Sequence, residues 1–283
     1  MRKLADIIKS ASDLPSLPEV AFEVIRTADQ SESSANTVAK VLSRDPSLSA
    51  RVLRLANSAF YGLSREITTI SEAVIVLGMR TTKSIALVAA SFPWLHKSLK
   101  GTGVNPNLIW HHSIATAILS KNLAAQAKDI DQEHAFCVGL LHNIGTVALI
   151  LTCEREFPHL LTQLKFDERP IDEIELELLG FNHATLGAEL AQSWNFPRSY
   201  ETSLRHFLRP SELPEFDLLT DIVHIANICV REKGVFDGVE HAKYFRDEEA
   251  FARFGMGAEQ LAFWTQESLW QANESDDSLA DAA

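Results

Sequence analysis

Histidines are the residues whose placement in this chain most invites chemistry. Ten are present in 283 residues. Four stand in suggestive contexts: His112 after Trp110, His142 within Gly139-Leu-Leu-His-Asn-Ile-Gly145, His183 in Asn-His-Ala-Thr-Leu-Gly, and His206 in Leu-Arg-His-Phe. A neutral imidazole is a common ligand for divalent transition metals, and it is the usual proton-transfer group near neutral pH. Side chains on separate helices can converge in one pocket only if the fold brings those helices together. Spacing alone leaves the bland alternative open, in which each His is a satisfied structural or surface residue. The chain has no Gly-rich nucleotide loop and no Gly-x-Ser-x-Gly nucleophile elbow.

The elements that must position these histidines read as helices. Apolar residues recur at helical spacing from Leu4, Ile7, Ile8 and Ala11 onward, and no stretch alternates long enough to support a sheet. Pro18 suits the first turn of a second helix. Asp45-Pro46 reads as an N-cap with proline at the first helical position. Tyr61-Gly62 marks a turn, and Gly78 ends a helix begun near Ser71, with Thr81 or Thr82 capping the next. The segment Gly101-Thr-Gly-Val-Asn-Pro106 is the clearest linker. Beyond it, long helices are expected around 110–127 and 133–151. Shorter ones follow at 154–164, 171–179, 183–194 and 216–232. No fixed-period repeat is present. The expected fold is all-α, with two packed helical subdomains. Residues 1–105 form the first, residues 106–235 the second, and residues 236–283 a helical extension with an acidic tail frayed from Glu274. The five tryptophans read as packing anchors.

Bulk properties narrow the function classes. Hydrophobic residues make up 46% and charged residues 23%, enough apolar material for a sizeable core. A net charge of −12 repels phosphate backbones, which argues against nucleic acid as a partner. The charge is uneven: nine basic against three acidic residues over 40–100, and one basic against nine acidic over 247–283. The basic block offers an interaction surface for an anionic partner, with Arg51, Arg54 and Lys83 as its charges. Phe60 and Tyr61 are read as packed between the two blocks, or alternatively as an aromatic pair facing that partner. Cys137, Cys153 and Cys229 sit in apolar stretches without a pairing pattern, as expected in a reducing compartment. The N-terminal residues lack the apolar run of a signal peptide, and the apolar stretch near 85–95 is short for a bilayer span. A cytoplasmic protein without membrane association is expected.

Two segments carry a resemblance. The first runs Leu14-Pro-Ser-Leu-Pro-Glu-Val20, Leu42-Ser-Arg-Asp-Pro-Ser-Leu48, Arg54-Leu-Ala-Asn-Ser-Ala-Phe-Tyr-Gly62 and Ile70-Ser-Glu-Ala-Val74 to Leu77-Gly78. It resembles the N-terminal half of HDOD domains. The second runs from Trp110-His-His-Ser to Ala135-Phe-Cys-Val-Gly-Leu-Leu-His-Asn-Ile-Gly145, and resembles the core of the HD phosphohydrolase superfamily. The resemblance implies that the second subdomain is an HD-like helical bundle. It also implies a metal site built from a His, a His-Asp pair and a distant Asp. Those positions fall here on His112, on His142 and Asn143, and on Asn227; His183 and His206 resemble the additional histidines of HD-GYP members. Thr146 stands where HD-GYP enzymes carry Lys.

The departures fall at both carboxylates. An Asn offers a neutral carbonyl where Asp offers a charge that offsets a cation and bridges metals. Mg²⁺ and Mn²⁺, which favour hard oxygen ligands, should suffer most. Zn²⁺ tolerates three imidazoles and a water. The resemblance therefore implies no required cofactor, or else a divalent transition metal (Zn, Fe or Mn) at the histidine cluster. It points to a bacterial signal-transduction module that binds a signalling protein or a nucleotide-like ligand. The alternative is a metal-dependent phosphohydrolase on a nucleotide-like phosphoester.

Overall fold

A computed structural model describes residue 4 and residues 19–280, less residues 29, 31, 58–60, 62, 64 and 240. The expected stripe at Leu4–Ala11, the Pro18 start, Phe60 and Gly62 therefore lie largely outside the described residues. The rest is helical. The order is α1 (Glu19–Ala28), α2 (Ala35–Leu42), α3 (Pro46–Ala56), α4 (Ile70–Ser98), α5 (Pro106–Gln126), α6 (Gln132–Leu141), α7 (Ile144–Thr152), α8 (Phe157–Gln163), α9 (Ile171–Leu179), α10 (His183–Ser193), α11 (Arg198–His206), α12 (Leu218–Glu232), α13 (Glu248–Phe254) and α14 (Ala258–Ala280). Among the described residues no strand forms; an isolated bridge joins Pro170 and Lys243.

Short polar residues set the helix starts, because each satisfies a backbone N–H that has no partner inside its helix. Asp45 accepts from the Leu48 N–H at 2.9 Å, with Pro46 in the first turn of α3. Asn105 does the same for Asn107 at 3.0 Å, ahead of Pro106. Gly101 and Gly103 before it both have positive φ, which is why glycine suits this connection. Asn182 caps α10 through the Thr185 N–H at 2.8 Å, and so fixes His183 in its first turn. Gly78 has φ 84° and ψ 160°, so α4 is two helical pieces joined at a break. That matches the expected helix end.

One apolar core runs from Ala21 in α1 to Ala272 in α14. Helix α5 lies inside it, with Ile109, Trp110, Ile114, Ile118 and Leu123 buried. It packs against α6, α12 and α14, while α1 to α3 pack on α4. The segments 70–98 and 132–152 are long and apolar enough by length and composition to cross a membrane. Their apolar windows are 61% and 94% buried inside the fold, as in core helices. Cys137, Cys153 and Cys229 are buried.

Two expectations need correction. The helix expected over 133–151 is broken at His142 and Asn143, which form a turn between α6 and α7. Apolar periodicity continues through the break and hides it. The turn brings α7 against α10 so closely that a Cβ on Gly145 would lie 1.8 Å from the His183 carbonyl oxygen. Only glycine fits there. The second correction concerns the tail: α14 stays helical to Ala280, beyond the expected fraying point at Glu274.

Candidate functional site

Helices α5, α6 and α12 bring His112, His142 and Asn227 together. The His112 Nε2 lies 3.2 Å from the His142 Nε2 and 3.0 Å from the Asn227 Oδ1. Both rings are oriented from behind. The His112 Nδ1–H donates to the Val235 carbonyl at 2.9 Å, and the His142 Nδ1–H donates to the Gly139 carbonyl at 2.6 Å. A carbonyl only accepts, so each Nδ1 carries the proton and each Nε2 presents a lone pair. Backbone carbonyls behind imidazoles also orient metal ligands.

The cluster also holds a cation. The Arg231 Nε–H, one turn along α12, donates to the Asn227 Oδ1 at 3.1 Å. This bond fixes the amide: the oxygen faces both Arg231 and His112. The Arg231 Nη2 lies 2.5 Å from Asp237 Oδ2, and the guanidinium stacks 3.5 Å over the Tyr244 ring. The Tyr244 hydroxyl donates to the same Asp237 oxygen at 3.2 Å. His112, His142, Asn227 and Asp237 are at most 1% exposed, and Arg231 is 7% exposed. Burial would raise Asp237, but Arg231 beside it holds the carboxyl well below the usual carboxylate range. Burial, seconded by Arg231, pushes His112 down to about 4. Burial and the neighbouring His112 hold His142 well below its ordinary value.

His183 adjoins this centre from α10. Its Nδ1 and backbone N–H both reach the Glu175 carboxylate, at 2.7 and 2.9 Å. Burial alone would lower its pKa; the buried Glu175 overrides that and raises it. Its Nε2 is buried and unpartnered. The Phe207 ring packs against the rings of both His142 and His183. His206 is not a member of the cluster, contrary to expectation. It is half-buried at the end of α11, where Arg205 and Glu212 are its charged neighbours. The α11 end reaches the histidines through Phe207, one residue later.

Asn143 departs in another way. It is 2% exposed, and neither its Oδ1 nor its Nδ2 has a hydrogen-bond partner. It lines a cleft toward α4 and α5 together with Ser91, Trp94 and Trp110. It does not complete the His112–His142–Asn227 group.

The residues present do not fit a catalytic divalent metal. Two imidazoles and one amide oxygen converge, but no carboxylate joins them. Among the described residues no three His, Cys, Asp or Glu side chains form a metal-holding group. The amide oxygen that a metal would take already accepts from Arg231. A guanidinium cannot lose its charge and repels a second cation. The lone pairs of the histidines need positive charge nearby, and Arg231 supplies it. Its charge acts on His112, His142 and His183 alike. Its Nη1 is buried without an assigned partner.

Sequence reasoning missed Arg231, Asp237, Tyr244 and Glu175. A signal for Arg231 was present: a charge four residues after Asn227, in a helix otherwise buried from Leu219 to Val230. His224 was also missed. Its Nδ1–H donates to the Phe207 carbonyl at 2.8 Å, and its Nε2 accepts from the Asp247 N–H at 3.0 Å.

The expected basic surface does not assemble as a set. Lys83 is 3% exposed, because its position on α4 faces the core. Tyr61 is half-buried, and burial raises its hydroxyl above the ordinary range, with Glu133 and Cys137 beside it. Arg51 is partly buried, donating to the Ala89 carbonyl at 3.0 Å and to Ser47 at 2.8 Å. Arg54 is exposed.

A sequence profile described as the HDOD domain matches residues 14–210. The chain belongs to the HDOD domain family. Among solved structures, this HDOD chain is similar to a candidate phosphohydrolase from Shewanella amazonensis SB2B. The two are 26% identical, with a TM-score of 0.77, covering 97% of this chain and 98% of the other. It is similar to an HDOD domain protein of unknown function from Geobacter sulfurreducens, at 21% identity and TM-score 0.72, covering 99% and 97%. A candidate signal transduction protein from Marinobacter aquaeolei VT8 is 22% identical with TM-score 0.76, covering 99% of this chain and 65% of that one. An uncharacterized protein of Treponema pallidum (strain Nichols) is 27% identical over 231 residues, 80% of this chain. The HDOD chain spans 44% of that relative's length.

Proposed function

We propose that this HDOD protein is a non-hydrolytic regulatory module of bacterial signal transduction, cytoplasmic, acting by binding a protein or small-ligand partner. The observation that carries the reading is the buried Arg231–Asp237 pair, bonded through Arg231 to the amide oxygen of Asn227. Metal-assisted phosphoester hydrolysis needs a polarising ion and a water activated by it. Here a fixed guanidinium supplies the positive charge, the neighbouring Asp237 carboxylate is already paired with it, and the histidines are closed to solvent. The similarity to a protein described as a candidate signal transduction protein agrees with this reading.

Two observations favour a second reading, a phosphohydrolase with a residual Zn, Fe or Mn ion. The Nε2 lone pairs of His112 and His142 converge as metal ligands do, and one similar structure is described as a candidate phosphohydrolase. The experiment that separates the two is turnover of bis(p-nitrophenyl) phosphate and p-nitrophenyl phosphate with added Mn²⁺ or Zn²⁺. No release above a no-enzyme control is expected. Catalysed release that disappears in His142→Ala would establish the second reading instead.

A further inference from the structure

The connection between α12 and α13, residues 233–247, has two working sides. Its inner side closes the histidine cluster. The Val235 carbonyl accepts from His112 at 2.9 Å, Asp237 pairs with Arg231 at 2.5 Å, and the Tyr244 ring lies against the guanidinium. Further along, the Lys243 carbonyl accepts from the Ile171 N–H at 2.8 Å. These bonds hold the loop from behind. Its outer side, with Leu108 and His111 of α5, walls an open cleft that holds about 630 Å³ of space a ligand can enter. Small-molecule sites run from about 300 to 1,000 Å³, so the cleft admits a body of about one or two rings.

The chemistry of these walls restricts the occupant. Two large apolar side chains in the lining face water: Phe236 is 52% exposed and Leu108 46%. Covering them is favourable in proportion to the apolar area removed from water. The polar lining is of one kind. His111, His241 and Lys243 contribute two imidazoles and an ammonium, and no Asp or Glu is among the described residues that line the cleft. In a chain of net charge −12, such a cleft is a local place for an anion. Glu168, outside the lining, approaches the Lys243 ammonium to 3.3 Å, but the two side chains are 86% and 55% exposed. A pair so exposed is weak and gives way readily. A cation would meet the ammonium with no lining carboxylate to offset it. An inorganic anion would leave Phe236 and Leu108 uncovered.

We propose that this cleft binds a small aromatic carboxylate, its flat body against Phe236 and Leu108 and its charge at Lys243 and the two imidazoles. Ring against ring adds to the area that Phe236 buries. Ammonium and imidazole N–H groups donate charge-assisted bonds to a carboxylate. One ammonium offsets one negative charge, which favours a carboxylate over a dianionic phosphate. The proposal rests on the reading of the protein as a binding module, and it names the class of ligand.

The test uses the isotope-labelled full chain and follows the backbone amide resonances of Gly234 and Gly238, which lie on either side of Phe236 in the cleft wall. The probes are 2-naphthoate, 2-naphthamide, which lacks the charge, 2-naphthylmethylamine, which reverses it, and acetate, which lacks the rings. 2-Naphthoate is expected to shift both glycines in a saturable way, with an affinity that falls as salt is added. The amide and the amine should bind at least about fivefold more weakly, and acetate should leave both glycines unmoved. Lys243→Met should abolish the preference for naphthoate over naphthamide, and Phe236→Ala should weaken both. Both side chains are more than half exposed, so neither change touches the core, and the wild-type comparison stands without them. The proposal is overturned if 2-naphthoate shifts neither glycine up to its solubility limit. It is equally overturned if naphthamide, the amine or acetate binds as well as naphthoate, or if the preference survives Lys243→Met. Failure here leaves the non-hydrolytic reading standing, because that reading is judged by turnover and metal content.

Discussion

Two buried histidine environments lie on the same helix, α12, and they could hardly differ more. His224 is saturated. Its Nδ1–H meets a carbonyl and its Nε2 meets a backbone N–H, so the neutral ring has a partner on each nitrogen. One turn along, Asn227 faces His112 and His142, whose Nε2 lone pairs point at each other and at an amide oxygen. A structural histidine is complete without help. The second group is complete only with a positive charge, and Arg231 provides one from within the chain. The contrast shows that converging histidine nitrogens and an amide oxygen can be held beside a buried side-chain cation.

Removing that side chain should have the largest effect. Arg231→Ala leaves Asp237 buried and unpaired, and breaking a buried pair costs about 3–5 kcal/mol. Urea unfolding should show a loss of that size. The double variant Arg231→Met/Asp237→Leu should recover the part that comes from the unpaired Asp237, since replacing both charges with apolar groups is often neutral, but not the part that comes from His112 and His142. A small loss in Arg231→Ala would mean that the guanidinium is not the charge on which the cluster depends.

The saturated histidine sharpens the comparison through pH. Burial pushes His224 down to about 4, against about 6.5 in an unfolded chain. The folded value is the lower one, so the unfolded state binds the proton first. The stability is therefore complete above about pH 6.5 and is lost as pH falls toward 4, by roughly 3 kcal/mol for this group. Titration of the His224 ring by NMR should show a neutral Nδ1–H form down to near pH 4. Protonation near pH 6 would remove the assigned roles of its two nitrogens.

Packing around the histidines gives a smaller effect. Gly145→Ala places a methyl against the His183 carbonyl, and overpacking costs typically about 1–3 kcal/mol. A fall in Tm of several degrees is expected, together with a shift of the His183 ring resonances. An unchanged Tm would show that α7 and α10 separate freely. The smallest effect is expected at Asn143→Leu. It removes two unpartnered polar atoms, so stability should hold or rise by up to about 1 kcal/mol. A loss above about 2 kcal/mol would show that the amide has partners.

Much of the fold was legible in the sequence, because caps and breaks are local. Asp45-Pro46, Asn105-Pro106 and Gly78 each fix a boundary through their own backbone preferences. The helices that carry His112, His183 and Asn227 followed from periodicity. What failed depended on burial or on distant contacts. Counting charges placed Lys83 on a surface, but its helical position turns it into the core. His206 and Phe207 differ by one residue, about 100° around a helix, and that rotation decides which of them reaches the cluster. The His142–Asn143 turn was hidden because Leu140, Leu141 and Ile144 are buried on both sides of it. Asp237 and Tyr244 come from the connection after α12, and nothing in their local sequence announces a pairing with Arg231.

Metal content is the most direct measure of the central claim that Arg231 stands in for the metal. Wild-type protein and Arg231→Met/Asn227→Asp should be purified without chelator or affinity metal, exposed to Zn²⁺, desalted and analysed for bound metal side by side. The account predicts far less than one Zn²⁺ per chain in the wild type. It predicts a near-stoichiometric ion in the double variant, where a carboxylate joins His112 and His142 and the resident cation is gone. Stoichiometric metal in the wild type, or no gain in a folded double variant, would contradict it.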